Sequence, residues 1–443
     1  MASNVELIGL ARDLAELERN GNPVRLGLIG CGEMGTDIIS RVAHMDGISV
    51  AAIAELAPEN AVNSVEMAYG NIDRCQITSS AKGFDQTIDA GSIAITEDAC
   101  RVLDHPRVDV IIDATGIPSV GADVGLQAIN NGKHLVMMNV EADVCIGHYL
   151  RREADRQGVV YSLGAGDEPS SCMELINFVA AMGHPIVCAG KGKNNPLNID
   201  AIPEQYALEA SQRNMNPRML VEFIDGSKTM VEMVAIANAT GLLPDKPGMH
   251  GPAATLDELA TTLIPVEDGG VLSRTGCVDY SIGKGVAPGV FVVADMSHAR
   301  IRERMTDLKL GDGPYFTFHR PFHLTSLEVP LTCARAMLYN TADMQPLNRP
   351  VAEVCAVAKK DLATGEHLDA IGEHCYRAWS MRYDEASAQN ATPCGLLYDA
   401  VLQRPVKKGE LITHDNVAVN TGNTIYDLRR RQDAMWSSQE AVR

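Results

Sequence analysis

Two lysines in the middle of the chain are the residues whose spacing suggests chemistry most directly. Lys191 and Lys193 belong to the segment GKGKNNP, residues 190–196, in a chain with a net charge of −19. Ammonium groups can hold a phosphate, stabilise enediolate or alkoxide charge, or move a proton. The segment predicts a glycine-loosened turn that binds an anionic or polyoxygenated substrate, with Asn194 beside the lysines. The alternative is a solvated loop without such a role.

Lys228 and Glu232 are four residues apart, and on a helix this spacing puts both side chains on one face. Two interpretations stay open, namely an acid-base pair in a crevice and a weak ion pair on the surface. The run that follows, residues 235–241, consists of small and apolar residues except for Asn238 and Thr240. It predicts a buried helix with these two polar groups aimed at a ligand.

Arg213 and His323 are weaker candidates for contacts with an anionic substrate. His323 ends the segment FHRPFH, residues 318–323, which contains two histidines and one arginine. One of these side chains could bind a phosphate or donate a proton. A structural role is the alternative for each histidine.

The clearest motif of the chain lies near its start, where residues 30–35 read GCGEMG directly after the apolar run 24–29. In this fingerprint one glycine permits a sharp turn, one lets the backbone approach a pyrophosphate, and one allows close packing of helix and strand. The pattern predicts a dinucleotide site, and the alternative is a tight turn without a ligand. The residues assigned to the site are Gly30, Gly32, Glu33, Met34 and Gly35.

Three further segments complete the predicted dinucleotide site. Glu55 follows a second apolar run, twenty residues after the last glycine of the fingerprint, where a ribose-binding carboxylate belongs. Lys82, near Ser79 and Ser80, is expected at the adenosine end. The small residues that follow another apolar run are expected on the nicotinamide side, unless they form only a glycine turn. These small residues are Ala114, Thr115 and Gly116.

Strand and helix patterns alternate through the first third of the chain, and this alternation is typical of a parallel sheet. We predict an α/β fold with a Rossmann-type doubly wound parallel sheet, an α+β substrate domain and a small β-rich C-terminal module. The predicted domains are an NAD(P)-binding domain at 1–163, a substrate or catalytic domain at 164–324 and the C-terminal module at 346–443. A helix within 325–345 is expected to return to the first domain.

Composition limits the class of protein. The chain has 443 residues, 46% of them hydrophobic and 21% charged, which predicts an ordinary globular protein of two or three domains. The acidic balance argues against nucleic acid as a partner. The absence of a signal sequence, of a long apolar span and of paired cysteines predicts a cytoplasmic protein with no membrane partner. A homo-oligomer is expected.

The chain resembles the homoserine dehydrogenase-like superfamily in its fingerprint at 30–35, in the segment DATG at 113–116 and in Asn139. The resemblance implies that Asn139 belongs to the cofactor site. This superfamily usually has a lysine directly after the asparagine, and this chain has Val140 there. Homoserine oxidation by the standard apparatus is therefore not expected.

A closer resemblance is to the 1-deoxy-D-xylulose 5-phosphate reductoisomerase-like group of that superfamily. Residues 190–194 and 225–229 and a C-terminal SAF-like module at about 350–420 carry it. It implies conversion of 1-deoxy-D-xylulose 5-phosphate to 2-C-methyl-D-erythritol 4-phosphate, a step of isoprenoid precursor synthesis, by rearrangement and then hydride transfer. It further implies roles for six residues: Lys191 and Lys193 stabilise negative charge, Glu232 with Lys228 moves the hydroxyl proton, and Arg213 and His323 bind the phosphate.

The carboxylate of Glu55 by itself favours NAD, because it would repel a 2′-phosphate. The resemblance implies NADPH, which we predict as the cofactor, with Glu55 turned away and Ser79, Ser80 or Lys82 engaging the 2′-phosphate. A divalent cation such as Mg²⁺ or Mn²⁺ is also implied, and Asp167, Glu168 and Asp225 are available without a spacing that identifies ligands. The rival interpretation is an NAD(P)-dependent dehydrogenase of another polyol, aldonate or homoserine-like substrate, without isomerisation. A nucleotide-sensing or carbohydrate-binding protein is the alternative outside the enzymes.

Overall fold

A computed structural model describes residues 6–213 and 215–440, and these residues form two compact units. Unit 1 contains the described residues of Met1–Asp143, with Tyr149–Asp167 and Leu324–Gln345. Unit 2 contains Val144–His148, Glu168–His323 and the described residues of Pro346–Arg443.

The strands, in chain order, are β1 (Val24–Ile29), β2 (Ile48–Ala54), β3 (Cys75–Ile77), β4 (Ile93–Thr96), β5 (Val110–Asp113), β6 (His134–Met137), β7 (Tyr161–Leu163), β8 (Ile186–Gly192), β9 (Leu243–Pro244), β10 (Cys277–Ser281), β11 (Val290–Asp295), β12 (Tyr315–Arg320), β13 (Ala352–Ala358), β14 (Tyr376–Arg382), β15 (Val401–Leu402) and β16 (Val417–Ala418). The helices are α1 (Gly9–Arg19), α2 (Glu33–Val42), α3 (Pro58–Tyr69), α4 (Ala81–Asp89), α5 (Ala99–Asp104), α6 (Pro118–Asn130), α7 (Val140–Gln157), α8 (Glu168–Ala181), α9 (Pro203–Gln212), α10 (Pro217–Ile224), α11 (Ser227–Thr240), α12 (Leu259–Thr262), α13 (Ala299–Asp307), α14 (Val329–Tyr339), α15 (Tyr383–Ala388) and α16 (Thr424–Glu440).

Unit 1 is built on a parallel sheet of seven strands in the order β3-β4-β2-β1-β5-β6-β7. The chain moves outward from β1 through β2, then returns to the other side of β1 with β5. The strand order therefore reverses between β1 and β5, and ligands of such sheets bind outside the carboxyl ends of the strands at this reversal. The predicted Rossmann-type doubly wound sheet is confirmed.

The sequence of β1, VRLGLI, is apolar except for Arg25, as is typical of a strand in a sheet that is buried on both faces. Leu26 and Leu28 are fully buried in the core of unit 1. Val329 and Cys333 of α14 belong to the same core, although they are about 300 residues further along the chain. The helix α14, which lies within the segment expected to return, is thus part of unit 1.

Unit 2 contains a mixed sheet in the order β12-β11-β8-β10-β9. The strand β8 is parallel to β10 and antiparallel to β11. The helices α8 and α11 pack on this sheet, and 12 of the 14 residues of α11 are buried. A helix that is buried on nearly all sides must have each of its polar groups paired.

The described residues of 346–443 form one compact unit with residues 168–323, whereas the sequence predicted a separate module. The Nζ atom of Lys359 lies 3.0 Å from a carboxylate oxygen of Asp225, and both side chains are buried. The hydroxyl of Ser227 accepts a 2.9 Å hydrogen bond from the amide of Ala378. These buried polar contacts join β14 and the turn after β13 to the start of α11.

In residues 6–213 and 215–440, no helix combines the length and the apolar character that crossing a bilayer requires. All eleven cysteines of the chain lie within the described ranges and are free.

Gly27, in the centre of β1, supplies a first test of this packing. A Cβ atom at Gly27 would lie 2.7 Å from Val102 Cγ1 and 2.8 Å from Val108 Cγ1, and stiff β-branched side chains cannot move away easily. We expect Gly27→Ala to lower the free energy of unfolding by about 1–3 kcal/mol through overpacking. Denaturant titration measures the change.

The matched control is Gly422→Ala, because a Cβ atom there meets only Asn420 Oδ1 at 3.4 Å. We expect this variant to unfold at the wild-type denaturant concentration. Equal stability of the Gly27→Ala variant and the wild type would contradict the packing of β1 described above.

Candidate functional site

The fingerprint glycines occupy the sharp connection between β1 and α2. Gly30 has a φ of 90°, and a Cβ atom there would lie 2.9 Å from the carbonyl oxygen of Ala114. A Cβ atom at Gly35 would lie 2.6 Å from the carbonyl oxygen of Gly30. Gly32 faces open space, with no atom within 4 Å of the corresponding position. Packing thus requires the first and third glycines, and the second leaves room for a pyrophosphate to approach.

The helix that follows this turn presents its N-terminus to the same space. Glu33 is the first residue of α2 and is exposed, and Met34 is half-buried. The free amide groups and the dipole at a helix N-terminus favour phosphate. The residues present therefore fit a dinucleotide.

Glu55 directly follows β2 and is held by two main-chain amides. Its carboxylate accepts hydrogen bonds of 2.7 Å from Cys31 and 3.2 Å from Ala57. The first of these amides belongs to the fingerprint, so the carboxylate faces the glycine turn. Lys82 is exposed in the first turn of α4, and the hydroxyl of Ser80 caps this helix by accepting from Gly83.

The other cofactor candidates surround one carboxylate that the sequence did not single out. Asp113, the last residue of β5, is fully buried. One of its oxygens accepts from the amide of Thr115 at 3.0 Å and from its hydroxyl at 2.7 Å, and the other accepts from Asn139 Nδ2 at 3.4 Å. Ala114 is half-buried and Gly116 is exposed. Burial raises the pKa of Asp113, and the three donors oppose this rise.

In unit 2, Lys191 forms the centre of a buried charge cluster. Its ammonium group is 2.7 Å from Glu168 Oε1, and it also donates a short hydrogen bond to Glu232 Oε2. Lys191 lies on β8, Glu168 begins α8, and Glu232 is in the middle of α11. His323 Nε2 is 3.4 Å from the same oxygen of Glu168. The structure therefore brings together two predicted catalytic residues and one predicted substrate-binding residue around Glu168.

Burial controls the protonation of this cluster. It raises the pKa of Glu232 to about 7, and the charge of Glu168 adds to the rise, while Lys191 and Lys228 oppose it. Burial by itself would lower the pKa of Lys191, but the charges of Glu168 and Glu232 outweigh this effect and raise it. The cluster thus pairs a lysine that stays charged with a carboxyl group that titrates near neutral pH.

Lys228 and Glu232 are not an exposed ion pair, because Glu232 is only 1% exposed and Lys228 is half-buried. Of the two interpretations of their spacing, the surface pair is excluded. Both side chains belong to the first half of α11.

The predicted turn at residues 190–192 was wrong, because these residues are the end of β8. A Cβ atom at Gly190 would lie 1.6 Å from the carbonyl oxygen of Asp279, and one at Gly192 would lie 2.1 Å from the amide nitrogen of Ala287. The glycines allow neighbouring backbone to approach the strand closely. They do not loosen the chain.

Lys193, Asn194 and Arg213 lie around the loop after β8. The ammonium group of Lys193 donates to the carbonyl oxygens of Asn195 at 2.6 Å and Phe223 at 2.7 Å. Burial lowers the pKa of Lys193 to about 8, and the charge of Lys191 adds to this effect. Asn194 is exposed, and Arg213 Nη1 donates to Asn195 Oδ1 at 3.1 Å.

Asn238 and Thr240 bind main-chain groups at the end of α11. The Oδ1 atom of Asn238 accepts from the amides of Val351 at 2.9 Å and Ala352 at 3.1 Å. The hydroxyl of Thr240 donates to the carbonyl oxygen of Ile236 at 2.7 Å. The expectation of a buried helix is correct. The described polar contacts of Asn238 join α11 to residues 351 and 352, and those of Thr240 lie at the end of the helix.

Glu168 was considered in the sequence only as a potential metal ligand, and its role as a partner of Lys191 was missed. The two residues are 23 positions apart in the chain, and this separation does not predict that they form a pair. The available signal was indirect, because an acidic residue in the first turn of a helix can meet a lysine from a neighbouring strand.

Two family models match consecutive parts of the chain. The model described as "Homoserine dehydrogenase, NAD binding domain" matches residues 30–163. The model described as "Oxidoreductase DRL, catalytic domain" matches residues 166–329. The first match covers the glycine turn and the strands β2 to β7, and the second covers the Lys191 cluster.

Individual relatives are distant. A homoserine dehydrogenase of Pseudomonas aeruginosa is 25% identical over 243 residues, which are 52% of this chain and 51% of the relative. A homoserine dehydrogenase of Methylobacillus glycogenes is 28% identical over 131 residues, 28% of this chain and 26% of the relative. The chain thus spans about half the length of the first and about a quarter of the second.

Among solved structures, a DOX-P reductoisomerase crystallised with fosmidomycin and magnesium has 15% sequence identity and a TM-score of 0.34, over 47% of this chain and 56% of the other. This similarity is too low to support an argument about fold or function. Residues 30–163 are thus similar to the NAD-binding domain of homoserine dehydrogenase, and residues 166–329 are similar to the catalytic domain of the oxidoreductase DRL, so both matched regions resemble domains of oxidoreductases.

Proposed function

We propose that the protein is a reductoisomerase-type oxidoreductase that converts 1-deoxy-D-xylulose 5-phosphate to 2-C-methyl-D-erythritol 4-phosphate. The match of residues 166–329 to the catalytic domain of the oxidoreductase DRL supports an oxidoreductase, and the substrate is the one that the resemblance of residues 190–194 and 225–229 implies. The observation that carries the proposal is the buried cluster of Lys191, Glu168 and Glu232, which combines a permanent positive charge with a carboxyl group that titrates near neutral pH.

Each member of the cluster has a task in a rearrangement followed by reduction. Lys191 stabilises the negative charge that develops on the substrate oxygen as the carbon skeleton rearranges. Glu232 accepts the hydroxyl proton that must leave for this to happen, and it can do so because its pKa is close to the working pH. Glu168 holds Lys191 in place, and His323 contacts Glu168 from the end of the segment that was predicted to bind the phosphate.

A reduced nicotinamide, when bound, supplies the hydride for the carbonyl carbon of the rearranged intermediate. For its identity, the geometry of Glu55 favours NADH over the NADPH that the resemblance implies. The carboxylate faces the fingerprint and is fixed there by the amides of Cys31 and Ala57. A carboxylate in this place accepts from a ribose hydroxyl and repels a 2′-phosphate.

A divalent cation is part of the proposal, and Glu168 and Glu232 of unit 2 have oxygens of the type that Mg²⁺ and Mn²⁺ prefer. Both carboxylates already bind the ammonium group of Lys191. Asp225 does not fit, because it is buried in an ion pair with Lys359.

The second candidate is a dehydrogenase of a polyol, aldonate or homoserine-like substrate without rearrangement. The match of residues 30–163 to the NAD-binding domain of homoserine dehydrogenase favours it. The Lys191 cluster serves this reaction as well, because oxidation of an alcohol also requires removal of a hydroxyl proton.

The decisive assay offers purified protein 1-deoxy-D-xylulose 5-phosphate with NADH or NADPH, with and without Mg²⁺ or Mn²⁺. We expect oxidation of the cofactor and formation of 2-C-methyl-D-erythritol 4-phosphate. No oxidation under any of these conditions rejects the reductoisomerase. Turnover of homoserine or a polyol instead establishes the second candidate.

We expect Lys191→Met to lower turnover by about 100-fold or more, because it removes the group that stabilises developing charge. This change also removes the lysine partner of the carboxylates of Glu168 and Glu232 in the interior. Lys191→Met combined with Glu232→Gln is therefore the second variant, because it leaves less uncompensated buried charge. Lys246→Met, at an exposed position of unit 2, is the control and should retain wild-type turnover. Wild-type activity of the Lys191 variants removes the cluster from the mechanism.

The pH profile tests the role of Glu232. A base must be ionised to accept a proton, so we expect kcat/KM to rise about tenfold per pH unit below pH 7 and to level off above it, following the pKa of about 7. Glu232→Gln should lower activity and abolish this rise, whereas the exposed control Glu267→Gln should keep it. Persistence of the rise in Glu232→Gln would assign it to another group.

Cofactor preference tests Glu55. We expect the wild type to have the higher kcat/KM with NADH, and Glu55→Gln to shift the ratio towards NADPH by about tenfold, because removing one charge removes about 1.4 kcal/mol of repulsion. Glutamine keeps an oxygen that can accept from Cys31, so the glycine turn stays supported. A wild type that prefers NADPH would contradict the assignment of Glu55.

A further inference from the structure

The turn after β5 lies beside the fingerprint turn, and a single buried group orders it. The carbonyl oxygen of Ala114 lies 2.9 Å from the Cβ position of Gly30, so the two turns are in direct contact. They follow β1 and β5, between which the strand order reverses. The group that orders the second turn is the carboxylate of Asp113, which binds the amide and the hydroxyl of Thr115.

The same carboxylate connects this turn to the start of α7. Its second oxygen accepts from Asn139 Nδ2 at 3.4 Å, while Asn139 Oδ1 caps α7 by accepting from the amide of Ala142 at 3.1 Å. The orientation of the Asn139 carboxamide is therefore fixed at both ends. Gly121 of α6 makes room for the pair, because a Cβ atom there would lie 2.7 Å from Asp113 Oδ2 and 2.8 Å from Asn139 Nδ2.

We infer that Asp113 is the positioning residue for the nicotinamide end of the cofactor site, acting through Thr115 and Asn139. This inference rests on the proposed binding of a nicotinamide cofactor. Asp113 is fully buried, and its described hydrogen bonds all come from the turn after β5 and the first residue before α7. It sets the shape of the turn and the direction of the Asn139 amide, and it does not itself contact the cofactor.

The chemistry of the carboxylate makes this role specific. An ionised carboxylate offers acceptors only, and each of its oxygens faces donors. An asparagine in its place must direct an NH₂ group either at the Thr115 donors or at Asn139 Nδ2. In the second case Asn139 must turn its amide, and α7 then loses its cap from Asn139 Oδ1.

The experiment measures the dissociation constants of NADH and of ADP-ribose by calorimetry, because ADP-ribose lacks the nicotinamide. We expect Asp113→Asn to weaken NADH binding about tenfold while the affinity for ADP-ribose changes less than about twofold. Gly121→Ala crowds Asp113 and Asn139 without changing any charge, so it should weaken NADH selectively as well. If Asp113→Asn does not fold, Gly121→Ala tests the same inference.

The matched control is Asp109→Asn, which removes a carboxylate from the other end of β5, where Asp109 binds Arg25 at 3.0 Å. It should leave both dissociation constants at wild-type values. Equal loss of NADH and ADP-ribose affinity in Asp113→Asn, or no loss of either, overturns the inference. A wild type that binds neither ligand overturns the proposed function itself.

Discussion

The need to compensate buried charge is the constraint on which the structure of unit 2 depends. An ammonium group or a carboxylate that leaves water without a partner is strongly destabilising, so Lys191, Glu168 and Glu232 can be buried only together. Three elements must meet for this to happen, since the residues come from β8, α8 and α11. The burial of these three charged groups therefore determines both how β8, α8 and α11 are placed and how Glu232 is protonated.

The surroundings of the cluster follow from this constraint. Gly190 and Gly192, on either side of Lys191, let the backbone of residues 279 and 287 come so close that a side chain at either glycine would be excluded. At the start of α11, the buried pair of Asp225 and Lys359 adds a second compensated charge. Lys359 thereby helps to fix the helix that carries Glu232.

Unit 1 uses the same principle at its own site. Asp113 is buried beneath the turn after β5, and its charge is stabilised by Thr115 and Asn139 instead of by a lysine. Hydrogen bonds to an ionised group are stronger than those between neutral groups, so a single carboxylate can order several donors.

The sequence by itself determined the features that depend on local spacing. The glycines at 30, 32 and 35, the apolar run before them and Glu55 after the next run were enough to predict the turn, the parallel sheet and the dinucleotide site. Such signals work because close packing and backbone conformation at a turn restrict which residues fit at fixed distances along the chain. The spacing of Lys228 and Glu232 likewise predicted that both side chains share one face of a helix, although it left open whether the pair was buried.

Only the tertiary structure decided which partner each polar group has. Residues 190–192 have the composition of a turn, yet they are a strand because residues 279 and 287 lie against them. Asn238 was expected to face a ligand, and its oxygen binds the amides of residues 351 and 352. Lys191 and Glu232 are 41 residues apart, and Asp225 and Lys359 are 134 apart. The free energy of a buried charge depends on which residues pack against it in the folded protein, and residue spacing along the chain does not predict those contacts.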